Sequence, residues 1–159
     1  MPESGRRVFA THTVRISKTV AAPLGYVYGW CTDFREDDGR LSRSRPRFKV
    51  LRVAKNRVVR IRASGSRDTN ARIAVEVVRL KPPNAWHLDQ IDEIDLNSVD
   101  YKLTRLGPRK TRVHLLLTER WMVPKYPKRS EWSRGTSKYW DDLVAAIERD
   151  YRAGRPALG

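Results

Sequence analysis

The fold of this chain can be deduced from one stretch, Val14-Arg15-Ile16-Ser17-Lys18-Thr19-Val20-Ala21-Ala22-Pro23. Apolar and polar residues alternate through it and its flanks from Val8 to Ala22, and a period of two predicts a strand. Pro23 marks a change, because proline is favoured in the first turn of a helix. The apolar residues that follow have helical spacing: Leu24, Val27, Tyr28 and Cys31. We therefore expect a strand and then a short helix from Pro23 to about Phe34.

The middle of the chain is a succession of short apolar segments. The charged stretch Arg35–Pro46 is interpreted as a loop with room for one helical turn. After it, five or six strands are predicted, each bounded by turn residues. The segments are Phe48–Val53, Arg57–Ala63, Ala71–Leu80, Trp86–Ile91, Val99–Leu106 and Thr111–Val123. Their short connections, above all Gly107-Pro108-Arg109-Lys110, indicate an antiparallel meander rather than βαβ units.

The C-terminal part has a helical period. Its apolar stripe consists of Trp132, Thr136, Tyr139, Trp140, Leu143, Ile147 and Tyr151. Polar residues occupy the opposite face, which is typical of a surface helix that packs on a core. Ser130 and Ser133 are candidate N-caps, and Gly154 is a candidate C-terminal stop. A long amphipathic closing helix is expected.

Composition limits the class of protein. The 159 residues allow one domain, and a hydrophobic content of 40% supports a packed core rather than a disordered chain. The single cysteine, Cys31, cannot form an internal disulfide. No secretory signal and no apolar run long enough to cross a bilayer is apparent. The cytoplasm is the expected compartment.

The order of strand, short helices, meander and long helix resembles the helix-grip fold of the SRPBCC superfamily, which includes START, pollen-allergen and polyketide-cyclase-like proteins. The local match is 14–23, followed by Val27, Trp30 and Thr32-Asp33-Phe34. The resemblance implies an α+β fold, with a curved seven-stranded antiparallel sheet wrapped around the C-terminal helix and short helices after the first strand. It covers one ligand-binding domain over 8–153, with 1–7 and 154–159 as flexible tails. It implies an apolar cavity but no particular ligand, and this chain is more arginine-rich than the family pattern.

Strand alternation predicts which side chains face the closing helix. The inward set is Val14, Ile16, Val59, Ile61, Ile73, Val75, Val77, Trp86, Leu88, Val99, Tyr101, Leu103, Val113, Leu115 and Leu117. The same alternation predicts that Gln90, Glu119 and Trp121 also face the closing helix. An apolar cleft with sparse polar groups is typical of small-molecule sites. The candidate cavity residues are Trp86, Leu88, Gln90, Tyr101, Leu103, Leu117, Glu119, Trp121, Tyr139 and Leu143. The alternative is that the aromatic residues are ordinary core and that Glu119 lies at a solvated strand end.

Motifs for common chemistry are missing from the sequence. There is no dinucleotide, P-loop, nucleophile-elbow or zincin spacing, and three dispersed histidines with one cysteine do not suggest a zinc site. No cofactor, metal or catalytic residue is assigned. Glu76 and Glu119 lie in apolar strands, where a general acid or base is one interpretation and cross-strand ion pairing is the commoner one. The acidic run between Asp89 and Asp100 is expected to be a solvated hairpin end.

Positive charge is the strongest compositional signal. The chain has 33 Lys and Arg against 18 Asp and Glu, a net charge of +15. Ten basic residues and no acidic one lie between Arg40 and Arg62. Alternation predicts that Arg60 and Arg62 face away from the cavity, in an outer patch that also includes Arg52 and Arg57. Such a patch could bind phosphates of nucleic acid or of an anionic membrane surface, but a solvated face is favoured because only one aromatic residue interrupts the stretch.

Three classes of function remain open. The first is a carrier or sensor that binds a hydrophobic or aromatic small molecule, lipid-like or polyketide-like, between the sheet and the closing helix. The second is a cyclase-like or dehydrase-like enzyme that uses the same cavity, for which polar groups would have to converge inside it. The third is a nucleic-acid or membrane-surface binder that uses the basic stretch.

Overall fold

A computed structural model describes residues 10–41, 45–65, 72–121 and 128–157. The strands are β1 (Ala10–Val20), β2 (Arg47–Ala54), β3 (Arg57–Ser64), β4 (Arg72–Lys81), β5 (Ala85–Ile91), β6 (Asp95–Gly107) and β7 (Lys110–Trp121). The helices are α1 (Leu24–Thr32), a short 3-10 helix (Glu36–Leu41) and α2 (Arg129–Arg152). The predicted tail 1–7, tail residues 158–159 and predicted strand residues 8–9, 71 and 122–123 lie outside the described residues.

The described strands form one antiparallel sheet in the order β1-β7-β6-β5-β4-β3-β2. Consecutive strands from β2 to β7 pair with each other, and β1 pairs along its whole length with β7. The predicted turn at Pro108-Arg109 joins β6 to β7. The predicted helix-grip α+β fold, with its seven-stranded sheet, long C-terminal helix and short helices after β1, is confirmed.

Helix α2 packs on one face of this sheet, which we call the inner face. Trp140, Leu143, Ala146 and Ile147 are its buried residues, and Ile147 is wholly buried. Polar contacts fix the helix to β1: the Lys18 ammonium donates to Asp141 at 2.6 Å, and the Glu148 carboxylate accepts from the Ala21 backbone N–H at 2.8 Å. The packing therefore follows the predicted apolar stripe.

The ends of α2 differ in how well they were predicted. The helix begins at Arg129, with Lys128 at the N-cap position and no side-chain capping hydrogen bond, so the prediction that Ser130 or Ser133 caps it is wrong. Gly154 follows the helix with φ +68°, a left-handed conformation that favours glycine. Residues 155–157 then pass α1, where the Tyr26 hydroxyl donates to the Arg155 carbonyl at 2.9 Å.

Helix α1 packs beside β6, β7 and α2, and the 3-10 helix packs beside β2. The Trp30 indole N–H donates to Asp150 of α2 at 3.1 Å. Arg52 of β2 donates to the Asp33 carbonyl at 2.8 Å. These contacts hold the short helices over the inner face. In the described ranges, no helix combines the length and the apolar character needed to cross a membrane.

Candidate functional site: an aromatic cavity with buried arginines

A cavity of about 400 Å³ lies between the inner face, the two short helices and α2. Seven of the ten predicted cavity residues line it: Trp86, Leu88, Gln90, Tyr101, Leu117, Tyr139 and Leu143. The other three do not. Leu103 is buried in the core, and Glu119 and Trp121 lie farther along β7, beyond the cavity lining.

Strands β3 and β4 face the opposite way from the prediction. Val59, Ile61, Ile73, Val75 and Val77 were expected to point inward, but they lie on the outer face. The residues on the inner face are Val58, Arg60, Arg62, Ala74, Glu76 and Val78. Strand register explains the difference, because Arg60 pairs with Glu76, which pairs with Gln90 of the correctly predicted β5. Residues directly opposite in a ladder share a face.

This reversal corrects the predicted outer patch of arginines. Arg60 and Arg62 line the cavity, whereas Arg57 remains exposed on the outer face. Arg52 lies at the β2 edge and contacts the end of α1. The four arginines therefore do not share one surface, and the inference that Arg60 and Arg62 face solvent is wrong.

Arg60 is the centre of a buried ion-pair network. Its Nε donates to Glu76 at 2.6 Å, and its Nη1 donates to Asp38 of the 3-10 helix at 3.0 Å. Its guanidinium also lies 3.9 Å from the ring centroid of Phe48 and 5.3 Å from that of Phe34. Two carboxylates and two aromatic faces compensate the loss of water around the cation. The expected cross-strand pairing of Glu76 is thus present, while Asp38 could not be connected to it from sequence spacing.

Arg62 differs from Arg60 because it is not neutralised in the same way. Its Nε is buried and has no hydrogen-bond partner among the described residues. None of the described carboxylates forms an ion pair with it. An unpaired buried donor is costly, and a charged one more so. The cavity wall therefore includes a cationic side chain that no described carboxylate neutralises, which favours a ligand with an anionic or carbonyl oxygen.

One row of polar residues crosses the inner face. Arg60, Glu76, Gln90, Asn97 and Glu119 are successive cross-strand neighbours from β3 to β7. The next row is apolar and consists of Val58, Val78, Leu88, Val99 and Leu117. Four members of the polar row line the cavity, all except Glu119. The cavity consequently has a polar side within a mostly apolar lining.

Aromatic rings form the other side of the cavity. Trp86 and Tyr101 are stacked with centroids 4.6 Å apart, and Trp140 of α2 lies 5.7 Å from Tyr101. Tyr28 of α1 meets Trp86 edge-on. Burial raises the pKa of Tyr101, so its hydroxyl stays protonated and is available as a donor. Such an arrangement suits a flat, apolar ligand with hydrogen-bonding oxygens.

Two groups at the end of α1 add chemistry to the lining. Burial and the negative charge of nearby Asp38 raise the pKa of Asp33 to about 6, although Arg35 opposes the shift. Burial raises the pKa of the Cys31 thiol, which is therefore neutral and a poor nucleophile. Sequence reasoning used Asp33 only as part of a family motif, since nothing local indicates that it would be half enclosed.

Carboxyl groups beyond the cavity are buried rather than solvated. Asp92 and Asp95, expected at a solvated hairpin end, are both buried, and both pair with Arg72. Burial and the negative charge of Asp95 raise the pKa of Glu119 to about 8. Glu119 is thus protonated at neutral pH, when its hydroxyl can donate to Asp95. Over the residues that the structure describes, no cluster of His, Cys, Asp and Glu is suited to a metal ion.

Comparison with known proteins supports the fold at low sequence identity. No family model and no curated protein matches the chain. A solved structure from Thermus thermophilus is 17% identical, with a TM-score of 0.68, and the match covers 89% of this chain and 98% of that one. The Zhui aromatase/cyclase from a Streptomyces species is 15% identical, with a TM-score of 0.67 and coverage of 91% and 98%. Norcoclaurine synthase from Thalictrum flavum is 11% identical, with a TM-score of 0.63 and coverage of 89% and 86%.

Proposed function

We propose that this chain, which has the helix-grip fold of the SRPBCC superfamily, is a carrier or sensor for a largely apolar, aromatic small molecule with one acidic or carbonyl oxygen. The observation that carries the proposal is Arg62 in the wall of an aromatic cavity, a cation that forms no ion pair with any described carboxylate. The fold supports it as well, because superfamily members bind hydrophobic ligands or act on polyketides.

Cavity size and lining support a small organic ligand. A volume of about 400 Å³ lies within the range of drug-sized sites, which combine apolar walls with a few polar groups. The stacked Trp86 and Tyr101 present an aromatic surface to a ring. Arg62 would then bind an anionic or carbonyl oxygen through a charge-assisted hydrogen bond.

Two fluorescent probes of similar shape test this proposal. Anilinonaphthalene sulfonate carries a negative charge, and N-phenylnaphthylamine is neutral. We expect both to bind, and we expect Arg62→Met to weaken the sulfonate about tenfold while leaving the neutral probe unchanged. Arg57→Met is the matched control, because Arg57 is exposed on the outer face. Failure of both probes to bind, or equal losses in the two variants, would refute the proposal. Native mass spectrometry of protein from its own cells would identify the ligand.

Enzymatic activity is a second candidate, favoured by the ionisation of Asp33. A carboxyl group with a pKa of about 6 in the cavity lining is suited to general acid-base catalysis near neutral pH. The copurified ligand would then be the substrate or the product, and incubation with fresh protein would interconvert the two, which chromatography that separates isomers detects together with mass spectrometry. Asp33→Asn should abolish that conversion and retain probe binding. A ligand that wild-type protein leaves unchanged in both mass and chromatographic retention would contradict this second candidate.

A further inference from the structure

The outer face of β2–β5 exposes a group of aliphatic side chains that the fold does not cover. The outer apolar patch consists of Leu51, Val53, Ile61, Ile73, Val75 and Ile91. Each is 39–57% exposed. Ile61, Val75 and Ile91 are direct neighbours in one row across three strands. The patch is therefore continuous rather than a scatter of single residues.

This patch reverses the ordinary pattern of a sheet with one solvated face. Strands of that kind place polar residues outward and apolar residues inward. In β3 and β4, the charged residues Arg60, Arg62 and Glu76 face inward, whereas the aliphatic residues Ile61, Ile73 and Val75 face solvent. Contiguous apolar surface of several hundred Å² on a protein surface commonly marks an interaction site.

Positive charge flanks the patch on β2, β3 and β4, whereas Asp89 and Asp100 lie on its β5–β6 side. Arg47, Lys49, Arg57, Arg79 and Lys81 are exposed on the same strands. Lys49 and Arg79 form ion pairs with Glu36 and Asp89. Arg47, Arg57 and Lys81 have no ion-pair partner among the described residues. Aliphatic side chains with unpaired cations beside them on β2, β3 and β4 are complementary to a surface that has anionic groups outside and apolar groups beneath.

We propose that the outer apolar patch docks on the surface of an anionic lipid bilayer. Its aliphatic side chains would enter the boundary between headgroups and acyl chains, and the flanking cations would lie against lipid phosphates. Each basic residue near an anionic membrane strengthens binding by about fivefold.

The charge distribution and side-chain chemistry disfavour two other occupants. A second copy would bring the same unpaired cations to the interface, on a chain with a net charge of +15. Single-stranded nucleic acid needs aromatic surfaces for its bases, and all six patch residues are aliphatic. An anionic bilayer can bind both groups, because its phosphates attract the cations and its acyl chains accommodate the aliphatic side chains.

Vesicle cosedimentation tests the proposal with the full chain. Vesicles of phosphatidylcholine alone are compared with vesicles of equal parts phosphatidylcholine and phosphatidylglycerol. We expect binding to the anionic vesicles that weakens as salt is raised. Ile73→Ser should weaken it by about fivefold to tenfold, and Arg57→Gln by about fivefold. Leu106→Ser is the matched control, because Leu106 is also exposed on the outer face but lies outside the patch.

Several results would overturn the proposal. These are no binding to anionic vesicles, equal binding to neutral vesicles, or equal losses for Ile73→Ser and Leu106→Ser. A concentration-dependent dimer in light scattering that Ile73→Ser dissociates would assign the patch to a second copy instead. Circular dichroism melting of each variant verifies folding, and little change is expected because Ile73 and Leu106 are both exposed. These readouts are independent of probe binding in the cavity.

Discussion

Replacement of Glu119 by glutamine should change how stability depends on pH. Burial and the charge of Asp95 raise the pKa of Glu119 to about 8, whereas an unfolded glutamate titrates near 4.3. The folded state therefore retains a proton that the unfolded state has lost, and wild-type stability falls as pH rises between those values. At about 1.4 kcal/mol per pH unit, and with a slope that flattens near pH 8, the loss from about pH 5 to about pH 8 is about 3–4 kcal/mol.

Glutamine imitates the protonated acid, since its amide can donate to Asp95 but does not titrate. Glu119→Gln should therefore match the wild type near pH 5 and exceed its free energy of unfolding by about 3–4 kcal/mol near pH 8. Urea denaturation across that range measures the difference. Glu93→Gln is the control, because Glu93 is an exposed carboxylate in the β5–β6 connection, two residues before Asp95. Parallel pH profiles for wild type and Glu119→Gln would contradict the burial of Glu119 beside Asp95 and the raised pKa that follows from it.

Three further substitutions test the packing around the cavity. Leu143→Ala should cost about 2–5 kcal/mol, towards the lower value because this side chain borders the cavity, and an unchanged denaturation midpoint would contradict its burial. Arg60→Met should cost about 3–5 kcal/mol, because it leaves the buried Glu76 charge unpaired. Adding Glu76→Leu should restore most of the lost stability. Strictly additive effects in this double-mutant cycle would contradict the Arg60–Glu76 ion pair. Gly39→Ala should cost about 1–3 kcal/mol, because the added methyl group would collide with the Pro46 carbonyl oxygen just before β2. Gly25→Ala is the control, because a methyl group there has open space. Equal melting temperatures for the two variants would contradict this prediction.

Local sequence patterns were sufficient to predict the order of elements. The change of period at Pro23, the turn at Pro108-Arg109 and the helical stripe around Leu143 each depend on residues close together in the chain. The same holds for the inward faces of β1, β5, β6 and β7, where one alternating set is clearly more apolar. Seven of the ten candidate cavity residues consequently line the cavity.

The sequence by itself therefore determined the helix-grip architecture and part of the aromatic lining, Trp86, Tyr101 and Tyr139, whereas only the tertiary structure decided how β3 and β4 face. Both alternating sets of β3 contain valine, with Val58 beside Arg60 on one face and Val59 beside Ile61 on the other. The more apolar set was assigned inward, as alternation ordinarily requires. Register with β5 places Arg60 inside instead, where Glu76, Asp38 and two phenylalanine rings stabilise its charge. Those partners come from other elements, so a local pattern of apolar residues contains no information about them.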